Sequence, residues 1–136
     1  MMHEAENKEI VKRVFAEWWT KANLQAVDAM LADEFVCHGV EGVDNKETIK
    51  ELITEYHRAF SGWVETVDVM VAEGDRVACR FTASGTHTGT FMGVAPTGKS
   101  VSFSGIDIYH IVDGRIIEMW YAEDLYGLLQ QLDGAK

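Results

Sequence analysis

Apolar residues in the first half of the chain recur every three to four positions. Ile10, Val11, Val14, Phe15, Trp18 and Trp19 form one wide stripe, which predicts an amphipathic helix. Asn23 stands where it could cap a second, short helix holding Leu24, Val27, Met30 and Leu31. Phe35 to His38 reads as a short extended piece. Asp44 followed by Glu47 resembles a capping box opening a third helix, whose stripe is Ile49, Leu52, Ile53, Tyr56 and Phe60, with Ser61-Gly62 ending it.

The period then changes from 3.6 to 2. Val67, Val69 and Val71 alternate with Thr66, Asp68 and Met70, Glu73-Gly74-Asp75 makes a turn, and Val77, Cys79, Phe81 and Ala83 continue the alternation on a second strand. Ser84 to Ser100 is rich in Gly and Thr and predicts a hairpin with bulges. Val101 to Val112 reads as a long strand, Asp113-Gly114 as a tight hairpin turn, and Arg115 to Ala122 as the return strand. Leu125, Leu128, Leu129 and Leu132 form a short terminal helix with Asp124 at its cap. Helices first and meandering strands later predict an α+β domain in which three N-terminal helices pack on a curved antiparallel sheet.

Composition narrows the partners. The chain has 136 residues, and 12 basic against 22 acidic residues leave a net charge of −10. One domain, 1–136, accounts for that length. The acidic excess disfavours nucleic acid and anionic membrane as partners. No secretory apolar core opens the chain and no apolar run reaches a membrane span, so a cytoplasmic location is expected. Cys37 and Cys79 sit among apolar residues and read as small buried hydrophobes.

Gly93-Val94-Ala95-Pro96-Thr97-Gly98-Lys99-Ser100 matches the phosphate-loop pattern letter for letter. That motif needs a helix after it, whose first amides face the phosphates. The alternating Val101-Ser102-Phe103-Ser104-Gly105-Ile106 that follows reads as a strand, so a turn is expected there instead. His3, His38, His57, His87 and His110 show no metal-ligand spacing, and no metal site is expected.

Asp107 interrupts the apolar run Ile106-Asp107-Ile108-Tyr109. Period 2 places Phe103, Gly105, Asp107, Tyr109 and Ile111 on one face of the strand, with Ile117, Met119 and Tyr121 sharing a face of the next. A half-buried carboxylate beside aromatics acquires a raised pKa and can shuttle a proton. The same residue could instead face solvent or pair with Arg80. Phe15, Trp19, Tyr56, Tyr109 and Met119 could line an apolar pocket; a stripe at helical spacing serves equally as core.

Gly85-Thr86-His87-Thr88-Gly89, Gly93 to Lys99, Gly105-Ile106-Asp107-Ile108, Asp113-Gly114-Arg115-Ile116 and Asp124 to Leu132 together resemble the SnoaL-like polyketide cyclases over nearly the whole chain. The resemblance implies a cone-shaped α+β barrel enclosing an apolar cavity, with a homodimer formed through the convex sheet face. It also implies cofactor-free aldol closure of a polyketide ester, in which an aspartate takes a proton from an activated carbon. Members carry a segment like E-H-W-D on the return strand, its last Asp serving as acid/base. Here the segment is Glu118-Met119-Trp120-Tyr121. Tyrosine, near pKa 10, is a poor base at neutral pH but can donate a hydrogen bond to an enolate. Asp107 is left as the cavity-side carboxylate and Tyr121 as the donor. Three functions fit: a cyclase, isomerase or lyase acting on an apolar carbonyl compound without cofactor; a non-catalytic module binding an apolar small molecule; and a dimerisation or protein-interaction domain.

Overall fold

A computed structural model describes residues 3–39 and 41–133. Helix α1 (Glu4–Arg13) runs on without a break into a π-helical segment (Val14–Thr20). There follow α2 (Leu24–Met30), β1 (Leu31–His38), α3 (Lys46–Ala59), β2 (Phe60–Glu73), β3 (Arg76–His87), β4 (Ser100–Val112), β5 (Arg115–Glu123) and α4 (Leu125–Leu132). The α+β arrangement is the expected one. The sheet order is β1-β5-β4-β3-β2. Four strands form an antiparallel meander, whereas β1 pairs with β5 in parallel, so the sheet is mixed. The extended piece expected at Phe35–His38 is the end of this edge strand, which begins at Leu31.

Several local expectations are corrected. The π-helical segment is marked by an i→i+5 bond from Lys21 N–H to Ala16 O (3.2 Å). Val14, Phe15, Trp18 and Trp19, all members of the expected stripe, form its buried face. The capping box of α3 is Asn45 with Thr48, one residue beyond the expected pair: the Asn45 side chain accepts from Thr48 N–H (2.9 Å) and Asn45 N–H donates to Thr48 Oγ1 (3.0 Å). Asn23 makes no side-chain cap on α2; its amide donates to Glu17 instead (3.2 Å). Helix α3 ends at Ala59, and Phe60 to Gly62 already belong to β2.

Two bulges change which residues face inward. The register of β2 against β3 shifts between Val67 and Val69. Val69 and Val71 are thereby turned outward, 58% and 59% exposed, while Met70 and Ala72 pack inward. On β5 a shift opposite His110 and Ile111 buries Ile116 rather than Ile117. Elsewhere the alternation holds. Val77, Cys79, Phe81 and Ala83 on β3, and Phe103, Asp107, Tyr109 and Ile111 on β4, are buried under the helices.

The glycine-rich segment matching a phosphate loop is a loop between β3 and β4 with no helix after it. His87 holds it: Nδ1 accepts from Thr97 N–H (3.1 Å), and the His87 backbone pairs with Lys99 O and Gly98 N–H (2.9 Å each). Asp124 caps α4 by accepting from Gly127 N–H (2.9 Å). Gln131 then clamps α4 to both backbone groups of Ser102 (3.1 and 2.7 Å). Among the described residues, no helix is long and apolar enough to cross a membrane, and no cluster of three potential metal ligands forms.

Candidate active site

A cleft between the helices and the inner face of the sheet is lined by Trp19, Val43, Ile49, Leu52, Glu65, Phe81, Asp107, Met119, Tyr121 and Glu123. The empty space among them, counted out to the open mouth, is about 340 Å³. It is narrow enough in this conformation to admit only a water-sized body. The strands supply the polar groups with Phe81 and Met119, and the π-helical segment and α3 supply Trp19, Ile49 and Leu52.

Asp107 points into this interior and is 4% exposed. Arg80, the cation considered as its partner, lies on the outer face and pairs with Asp68 (2.5 Å). Asp107 Oδ2 accepts from the Tyr109 hydroxyl (2.7 Å), while Oδ1 is buried without a hydrogen-bond partner among the described residues. Burial pushes its pKa up to about 7; the Tyr109 bond lowers it and the nearby Glu123 raises it. Tyr121 is the residue directly across from Asp107 on β5. Its ring lies against Gly39 in the turn after β1, in space that any Cβ at position 39 would occupy.

Of the other residues singled out from sequence, Trp19 and Met119 line the cleft. Phe15, Tyr56 and Tyr109 stand behind the lining, and each supports one lining residue. Phe15 packs on Phe81 with ring centroids 5.2 Å apart, Tyr56 donates to Glu123 Oε1 (3.3 Å), and Tyr109 donates to Asp107.

Sequence reasoning missed two acids. Glu65 is buried on β2, where Oε2 accepts from Trp63 Nε1 (3.1 Å). Burial, then the neighbouring Glu123, raise its pKa well above the carboxylate range. Glu123 is partly buried on β5, its pKa raised by burial to about 7 and drawn back by the Tyr56 bond. The signal for both was parity: Glu65 shares a face with Trp63, and Glu123 with Met119 and Tyr121. Burial, with Asp107 as a second cause, also pushes the Cys37 and Cys79 thiols up to about 12, so neither is an activated nucleophile.

The SnoaL-like polyketide cyclase profile matches residues 9–132. The chain belongs to the SnoaL-like polyketide cyclase family. Solved structures agree with that membership. AclR from Streptomyces galilaeus, named as a candidate hydroxylase, is 30% identical with a TM-score of 0.87, over 96% of this chain and 82% of its own. TsrD from Streptomyces laurentii is 26% identical over the whole of both chains, TM-score 0.87. IdmH from Streptomyces antibioticus, a candidate polyketide cyclase, is 26% identical over 93% of this chain and 98% of its own, TM-score 0.82. No curated protein matches. Within a SnoaL-like cavity, this chain has an aspartate on β4, a tyrosine opposite it, and two further carboxyls on β2 and β5.

Proposed function

We propose that this SnoaL-like protein is a small-molecule cyclase, isomerase or lyase that acts on an apolar, polyketide-type carbonyl compound, with Asp107 as acid/base and Tyr121 as hydrogen-bond donor. The observation that carries this reading is the Asp107 carboxyl. It is buried in the lining of a cleft, one oxygen is fixed by Tyr109, and the other is unengaged. A pKa of about 7 lets it accept and return a proton at neutral pH.

The chemistry follows from those two residues. Ionised Asp107 takes a proton from the carbon next to a carbonyl, and the C–H electron pair moves onto the carbonyl oxygen. The Tyr121 hydroxyl donates to that enolate oxygen. The enolate carbon then bonds to a second carbonyl of the same molecule, and the new alkoxide takes the proton back from Asp107. The step as written requires neither metal nor organic cofactor. Trp19, Met119, Phe81 and Leu52 exclude water and fold the substrate, with Phe15, Tyr56 and Tyr109 holding the wall from behind. A substrate larger than water enters by displacing the half-buried Val43, Leu52 and Tyr121 side chains.

The outer sheet face supports a homodimer as the working form. Val71, Ala78, Ile108, Trp120 and His38 lie in register in one row across all five strands. Val69 and Ile106 belong to the next row, 58% exposed each, on either side of Arg80, which is paired with Asp68. A row of exposed apolar side chains bordered by ion pairs has the make-up of a self-complementary interface.

The narrow cleft favours a second reading, a dimerisation or binding domain without chemistry. Exchange of the α-hydrogens of cyclohexanone into D2O, followed by NMR, separates the two. Catalysed exchange that falls roughly 10²–10⁴-fold in Asp107→Asn supports the acid/base role. Exchange at the same rate in wild type and Asp107→Asn removes it and leaves the binding or interaction reading.

A further inference from the structure

The cleft contains three carboxyls and, among its lining residues, no cation. Glu65, Asp107 and Glu123 share it with Trp19, Phe81 and Tyr121, and the remaining lining residues are aliphatic or Met. The groups that face Asp107 are all acidic or neutral. Tyr109 lies on its own strand, Cys79 opposite it on β3, and Tyr121 opposite it on β5. Glu123 farther along β5, Glu65 on β2 and Cys37 on β1 also feel its charge or act on it. Helix α3 contributes Tyr56, which is bonded to Glu123. The Arg80 cation belongs to the opposite side of the sheet.

Such a wall discriminates among ligand charges. An anion would find no cation among the lining residues to offset the burial of its charge, and any carboxyl that ionised beside it would repel it. A ligand without an N–H or O–H donor would leave Asp107 Oδ1, buried and unengaged, without a partner. A protonated amine provides both a positive charge and several donors, and aromatic walls accept a cation over a ring face.

We propose that the ligand of this cavity carries a protonated amine next to its apolar body. This rests on reading the cleft as a small-molecule site, and it narrows the substrate class to aminated carbonyl compounds. The ammonium donates to Asp107 Oδ1 and to Glu123, and a carboxyl that is protonated in the empty cleft releases its proton to solvent as the cation enters. Carboxylated analogues are rejected.

Three probes of one shape test this by isothermal titration calorimetry between pH 5 and 8: cyclohexylammonium, cyclohexanone and cyclohexanecarboxylate. The ammonium keeps its charge throughout, as an alkyl amine titrates near pH 10. Cyclohexylammonium is expected to bind most tightly, with affinity rising up to about tenfold per pH unit toward pH 7 for each proton released. Asp107→Asn is expected to lose about 10- to 100-fold in ammonium affinity while cyclohexanone binding is retained, which also reports that the cleft is intact. Ketone binding as tight as ammonium binding at pH 8, or ammonium affinity unchanged from pH 5 to 8, overturns the proposal. If cyclohexanone binds and exchanges its α-hydrogens while the ammonium does not bind, the amine inference falls and the acid/base function stands. Absence of binding by all three overturns both.

Discussion

The Tyr109 hydroxyl donates a 2.7 Å hydrogen bond to Asp107 Oδ2 from two residues along the same buried face of β4. The bond fixes one carboxylate oxygen and favours the ionised form, against burial, which favours the neutral one. Asp107 is therefore held where either form is reachable near neutral pH.

Tyr109→Phe removes the bond without removing the ring. The Asp107 titration midpoint should then rise above its value in the wild type, because burial remains and the opposing hydrogen bond is gone. Carbon-detected NMR of the side-chain carboxyl measures this directly. A midpoint that stays put or falls would mean the Tyr109 bond does not stabilise the carboxylate.

Asp107 and Glu123 also make stability depend on pH. Both have pKa values raised to about 7 in the folded chain, from ordinary values near 4 in the unfolded one. Between those limits the folded state binds more protons than the unfolded state. Stability contributed by these groups is fully present below about pH 4 and is lost as pH rises from there through 7, at up to about 1.4 kcal/mol per unit for each group. Urea midpoints at pH 5.5 and 8 should show the wild type weaker at the higher pH, with a shallower difference in Asp107→Asn. Equal slopes in the two proteins would place the Asp107 carboxyl outside the titration.

How far the sequence disclosed this arrangement depended on whether a feature was local. Alternation along β4 placed Asp107 and Tyr109 inside, because no bulge interrupts that strand between Phe103 and Tyr109. The same alternation misplaced Val69 and Val71, since a bulge after Val67 depends on pairing with β3 and leaves no mark in composition. Parity gives the face of Glu65 and Glu123 but not their burial, because each stands at a strand position whose depth is set by helices packed from elsewhere in the chain. The parallel pairing of β1 with β5 joins Cys37 to Met119 across the sequence, and nothing within either segment specifies it. The departures from an E-H-W-D-like segment at Met119 and Tyr121 are legible in the sequence itself. That the replacing Tyr121 still faces Asp107 required the register.

Gly39 should be intolerant of a side chain because of Tyr121. A Cβ at position 39 would overlap the Tyr121 ring. Gly39→Ala should destabilise by about 1–3 kcal/mol as the ring is displaced. In a Tyr121→Ala background the same substitution should cost far less, so a double-mutant cycle in urea should show strong coupling between the two sites. Additive costs would mean that the ring and the turn are independent.

The outer row Val71–Ala78–Ile108–Trp120–His38 makes the last prediction. Ile108 and Val71 flank Ala78 across β4, β3 and β2, and both are exposed on a single chain at 37% and 59%. Covering them in a two-fold dimer would remove a sizeable apolar area from water, at roughly 25 cal/mol per Å² before association costs are met. Ile108→Lys puts a charge at the centre of the row without touching the inner face that holds Asp107. Sedimentation equilibrium should then show a dimer for the wild type and a monomer for Ile108→Lys. The far-ultraviolet spectrum should be unchanged, because a lysine on an outward strand position disturbs no packed core. A wild-type chain that sediments as a monomer up to high micromolar concentration would remove the convex face as a self-association surface.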